Sequence, residues 1–212
     1  EKETVQNPQN EEAWAYLAMS RAQLGNAEGV RTAMKQYSSI GKNTFKGELT
    51  QMWGGFLKMA YDEYDNAEKF AKDNKDAEAV KKFGESVNHF EIAYALLPDS
   101  AFVKDNIKAI NGRINTILVK PMIDKGVELE KQGDYEGAIG EYNKGISKVD
   151  KGSAAYEVIV YNISITYLKW GENLREKNPD DPAFKSKYEA AMPFLEDLTN
   201  SKDKDNKLNA YE

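Results

Sequence analysis

The 212-residue chain is 41% apolar and 30% charged, ordinary values for a globular protein able to bury a substantial core. Its net charge of -6 argues against a nucleic-acid partner, because phosphate binding needs a basic face, and no apolar run approaches the ~20 residues that cross a bilayer. There is no cysteine, so disulfides, thiolate metal sites and cysteine nucleophiles are excluded.

Helical periodicity dominates the chain. Pro8, Pro98, Pro179 and Pro182 fall between periodic segments, and no alternating β-branched run is bounded by hairpin turns, so an all-α fold is expected. The first element, Trp14–Tyr37 (WAYLAMSRAQLGNAEGVRTAMKQY), reads as a helix, a turn centred on Gly25 and a second helix. Trp53, Phe56 and Leu57 open the next hairpin, and Phe90, Ala93 and Pro98 close it after a helix-compatible insert whose turn falls near Asp73–Asp76. The adjacent Gly54 and Gly55 lower helix stability by ~1 kcal/mol each, which suggests compensation by a close helix contact or, as the alternative, by ligand access.

Between Pro98 and Met122, the residues Phe102, Ile107, Ile110, Ile114 and Ile117 mark one helical face, capped by Asp99 or Ser100. This segment is expected to continue past Pro121 into the following helix as a single bent rod. Met122–Gly145 (MIDKGVELEKQGDYEGAIGEYNKG) repeats the first hairpin, with Gly133 in the place of Gly25. Val160, Ile163 and Tyr167 open a fourth hairpin that Ala191, Leu195 and Leu198 close. Its turn is NPDDP, with Asp181 as helix cap and Pro182 at the first helical position. DNKLNAYE (Asp205–Glu212) reads as the start of a further helix.

These residues resemble the tetratricopeptide repeat, whose pattern W-x2-L-G-x2-Y, then Ala, an aromatic and Pro recurs every 34 residues. In the first copy Trp14, Leu17 and Ala18 match, while Val30 and Met34 take the Ala and aromatic slots. In the third, Gly126, Gly133, Ala138 and Tyr142 match, with Met122 for the Trp and Asp150 for the Pro. The second and fourth copies match once their turns are stretched, Ser86 and Ala191 taking the small-residue slot. Trp14 to Met122 spans 108 residues and Trp53 to Val160 spans 107, which indicates a duplicated two-hairpin unit, about 11–98 and 119–200. The expected organisation is one domain over 1–212 with approximate repeats 11–44, 47–98, 100–150 and 153–200, and 201–212 beginning another helix.

The resemblance implies a right-handed superhelical stack of antiparallel helix hairpins, whose opening helices line a concave groove. Groove residues carried over by spacing are Ala15, Tyr16, Met19 and Gln23, then Lys58, Tyr61 and Asp62. The later copies supply Asp124, Val127, Glu130 and Lys131, then Tyr161, Asn162, Ile165 and Lys169. The carboxylate clamp of chaperone-binding members is not implied, since its slots hold Ala15, Met19, Gly55, Lys120 and Asp124, and only Lys120 fits.

No catalytic, metal or cofactor constellation stands out. His89 is the only histidine and reads as a surface or half-buried structural residue, and GEYNKG and GKNTFKG do not fit a phosphate loop. DKDNKLNAYE lacks the central Gly of a calcium loop. The expected function is therefore non-catalytic: a scaffold for a protein or peptide partner. The alternatives are a small-molecule or glycan receptor using Tyr16, Tyr61 and Tyr161, or a structural protein that homo-oligomerises through its repeat ends. The chain begins at Glu1 rather than Met, which suggests an upstream segment removed by signal cleavage or truncation. With the lack of cysteine this leans toward a bacterial cell-envelope or periplasmic location, the cytoplasm remaining open.

Overall fold

A computed structural model describes residues 1–200; the helix read at Asp205–Glu212 lies outside the described residues. Among the described residues the secondary structure is nine α-helices with no strand. The chain divides into two compact units, Glu1–Ile114 and Asn115 onward.

The first unit holds α1 (Lys2–Gln6), α2 (Glu11–Gln23), α3 (Ala27–Ile40), α4 (Lys46–Lys72), α5 (Asp76–Leu96) and the opening part of α6 (Ala101–Lys131). Asn10 starts α2 by accepting the Ala13 N–H on its side chain at 3.1 Å, and Glu11 and Glu12 complement the positive end of the helix. The helix ends at a turn where Gly25 takes φ +72°, a region that side chains disfavour. The Asn26 N–H then donates to the Arg21 carbonyl at 2.9 Å, while the Asn26 side chain caps α3 by accepting the Gly29 N–H at 2.8 Å. Fully buried Ala15, Ala18 and Ala22, at helical spacing, bring α2 close to Val30 and Ala33 of α3.

α4 and α5 pair along their lengths. Phe56 meets His89 at 5.9 Å, Tyr61 meets Phe90 at 5.1 Å and Tyr64 meets Phe83 at 5.5 Å. Ala60, Ala67 and Ala79 are fully buried in this hairpin, and the Ser86 hydroxyl donates to the Ala60 carbonyl at 2.7 Å. α3 packs on α5, and the Tyr37 hydroxyl accepts the Phe45 N–H at 3.1 Å just before α4 begins. The opening part of α6 meets α4 at Trp53–Phe102, Tyr61–Asn106 and Glu68–Arg113. Both members of these pairs advance together, so α4 and this part of α6 run parallel.

In the second unit the remainder of α6 is followed by α7 (Tyr135–Ile146), α8 (Ala154–Lys177) and α9 (Ala183–Thr199). α6 continues through Pro121 without interruption, so the sequence between Pro98 and Lys131 forms one helix rather than two. The turn after it repeats the first one: Gly133 has φ +79°, the Asp134 N–H donates to the Leu129 carbonyl at 2.9 Å, and the Asp134 carboxylate accepts the Gly137 N–H at 2.9 Å. Gly126 lies flat against the Tyr142 ring, leaving no room for a Cβ. Val119, Ala138, Tyr142, Ile159 and Ile163 form the centre of this unit's core. α8 and α9 pair antiparallel through Tyr156–Asp197, Tyr167–Phe194 and Glu172–Tyr188.

Two local expectations change. α9 begins at Ala183, with Pro182 just before it, although Asp181 still accepts the Ala183 N–H at 2.8 Å. The close helix contact expected at Gly54 and Gly55 is overturned. Both residues are exposed in the middle of α4, and a Cβ on either would meet nothing within 4 Å.

Candidate functional site

The residues named from the sequence form one set in each unit, except that Ala15 is fully buried where α2 packs on α3 rather than facing a groove. In the first unit Tyr16 projects from α2, 53% exposed, its ring tilted against Phe45 at a centroid distance of 5.7 Å. Met19 is half-buried against the core, and Gln23 is exposed in the last turn of α2. On α4, Tyr61 is 45% exposed, and Lys58 and Asp62 flank it in solvent.

Tyr61 is held at both ends. Its ring lies edge-on to Phe90, and its hydroxyl accepts a hydrogen bond from the Asn106 amide at 3.1 Å. The same amide donates to the Phe102 carbonyl at 3.0 Å, which fixes Asn106 in turn. Tyr61 thus offers a pre-positioned apolar face together with a hydroxyl proton free for donation. Gln23, Lys58 and Asp62 have no side-chain hydrogen bond or ion pair among the described residues, so their polar groups face water.

A recess of about 380 Å³ between α1 and α2 adjoins Tyr16 and Leu17, with Glu1, Glu3 and Glu12 around it. Arg21 pairs with Glu1 at 2.8 Å, and this hydrogen bond together with the guanidinium charge holds the Glu1 carboxyl below the usual carboxylate range. The Asn10 amide donates to Glu3 at 2.9 Å. More acid than base lines this recess.

The second patch is organised differently. Tyr161, Asn162 and Ile165 are half-buried along α8, and the Asn162 amide donates to the Val158 carbonyl at 2.8 Å. Lys169 is exposed, but its ammonium lies 2.6 Å from one oxygen of Glu130. The other oxygen accepts the hydroxyl of buried Thr166 at 2.5 Å. Tyr142 points its hydroxyl toward Thr166, and its pKa is pushed up to about 12, first by burial and then by the Glu130 charge. Val127 packs at the edge of the core, Asp124 pairs with Lys120 at 2.9 Å, and Lys131 is exposed. The structure therefore brings Glu130 and Lys169 together and satisfies them on each other.

Several elements of the first patch lie beyond sequence reasoning. α1 and its glutamates sit outside the repeat pattern, and the Asn106 lock on Tyr61 joins residues 45 positions apart. His89 is half-buried against Phe56, with a buried Nδ1 that finds no hydrogen-bond partner among the described residues. Among the described residues no group of three or more histidines, aspartates or glutamates is placed to hold a metal, and no helix is long and apolar enough to cross a membrane. A scan against protein-family models returns no match, and neither does a search of curated proteins.

Proposed function

We propose that this chain is a non-catalytic scaffold that captures a protein segment or peptide, built on the tetratricopeptide plan of a right-handed superhelical stack of antiparallel hairpins. The parallel course of α4 and the opening part of α6, with α5 antiparallel to α4, supports the plan. So does the pair of matching turns at Gly25 and Gly133. The single observation that carries the functional reading is that Tyr16 and Tyr61 are each about half exposed and braced on one side, on helices that also present the unpaired Gln23, Lys58 and Asp62.

Such a surface suits a peptide better than a reaction. Each tyrosine gives a broad apolar contact with little side-chain entropy to lose, because its ring is already packed on one side. Lys58 and Asp62 are one helical turn apart and would read an acidic and a basic residue of the bound segment. The carboxylates beside Tyr16 favour a basic residue there.

The test is selection of peptides from a random display library on the full chain, followed by fluorescence anisotropy with the selected sequences. Tyr16→Ala/Tyr61→Ala should weaken them about thirtyfold or more, with circular dichroism unchanged because each ring is about half exposed and neither belongs to the buried core. Selected peptides that bind the double variant as tightly as the parent would show the tyrosine surface to be the wrong one.

A further inference from the structure

A second recess of the first unit, about 450 Å³, lies among α3, the first turns of α4 and the last turn of α5. Its volume is within the ~300–1,000 Å³ typical of small-molecule sites. The floor is apolar: Met34, Tyr37, Leu49 and Leu96 all line it and are all buried. None of these residues belongs to the Tyr16–Tyr61 surface.

The rim is basic in a chain whose net charge is -6. Arg31, Lys35 and Lys46 border the recess, against the single acid Asp99. Arg31 already pairs with Glu28 one turn earlier on α3. Lys35 and Lys46 have no acidic partner among the described residues. α4 begins at this edge without a side-chain cap at Phe45, and Glu48 in its first turn offsets the positive end of its dipole, so the positive charge of the rim comes from its basic side chains.

The recess is walled mostly by helices, whose backbone groups are bonded internally. It presents no extended edge to pair with a peptide strand. An apolar floor and an unpaired cationic rim instead match a molecule that is apolar along its body and anionic at one end. We infer that this recess binds an amphiphile with a single anionic head group, the tail lying against Met34 and the more accessible lining residues Leu97 and Pro98, and the head held by Lys35 and Lys46.

The experiment is isothermal titration calorimetry of the full chain with dodecanoate and with dodecyl phosphate, each below its micelle concentration. Dodecyltrimethylammonium and dodecanol serve as controls. At least one of the anions should bind saturably at one site, and the two controls should bind about tenfold more weakly or worse. Which anion binds tells whether the head group is a carboxylate or a phosphate. Lys35→Glu/Lys46→Glu should weaken the anion about tenfold or more while leaving display-selected peptides unaffected. Both lysines are exposed on helices, and Lys35→Gln/Lys46→Gln serves if the charge reversal impairs folding. Absence of saturable anion binding, equal binding of the cationic control, or anion binding unchanged in the folded lysine variant would each overturn the assignment. Because none of these outcomes involves Tyr16 or Tyr61, the peptide surface is judged separately.

Discussion

The two patches carry similar residue types and put them to opposite uses. In the first unit Tyr16 and Tyr61 are braced from one side and open on the other, with Gln23, Lys58 and Asp62 unpaired. In the second, Glu130 accepts from Thr166 and from Lys169, Asn162 is tied to its own helix, and Tyr161 is half-buried. A polar group that has found an internal partner contributes to stability, whereas one left in water remains available to a ligand. The spacing that nominated both sets of residues does not distinguish these two fates.

If that division is right, substitutions should separate binding from stability. The largest effect is expected on binding: removing both Tyr16 and Tyr61 side chains should cost about 2 kcal/mol or more of peptide affinity, whereas Tyr161→Ala should cost less than about 0.5 kcal/mol. Anisotropy with the same peptides measures both, and an equal loss at Tyr161 would erase the distinction. Next comes Glu130→Ala, which leaves the buried Thr166 hydroxyl without its acceptor and should lower unfolding free energy by about 1–3 kcal/mol in urea titration. Peptide affinity should not change.

Alkaline titration sharpens the same contrast. Tyr142 and Tyr156 of the second unit are each pushed up to about 12: Tyr142 by burial and then the Glu130 charge, Tyr156 by burial and then its hydrogen bond to Asp197. An unfolded tyrosine titrates near pH ~10, so the protonated form is favoured by folding. The resulting stability is complete below pH ~10 and is lost as pH rises through the folded values. The urea midpoint should therefore fall across that window, and Tyr142→Phe/Tyr156→Phe should flatten the fall. Asp197 has the opposite sign. Its carboxyl is held low, first by the Tyr156 hydroxyl and then by Lys151, so its contribution is lost as pH falls through the acid range.

The smallest effect concerns Gly54 and Gly55. With open space around both, Gly54→Ala and Gly55→Ala should each stabilise α4 by up to ~1 kcal/mol. Thermal unfolding reads the gain, and a loss of stability would mean that something approaches the helix there after all.

The all-helical character and the hairpin turns were legible because they are local. Gly25 and Gly133 announce hairpin turns, Asp181 announces a cap ahead of the last helix, and Ala138 and Tyr142 repeat at helical spacing. The state of each candidate site residue was not local. Asn106 reaches Tyr61, and Lys169 reaches Glu130, across separations of 45 and 39 residues that no periodicity encodes. Gly54 and Gly55 misled for a related reason: a glycine without a Cβ fits equally well against a neighbouring helix or against water. Only the arrangement of the surrounding helices decides between them.

Photo-cross-linking tests the central claim most directly. Tyr61→p-benzoylphenylalanine on α4 is compared with Lys81→p-benzoylphenylalanine, an exposed position on α5, each irradiated with a display-selected peptide. The account predicts a cross-linked adduct from position 61 and little or none from position 81. Cross-linking from position 81 alone would place the peptide on the closing helix and contradict it.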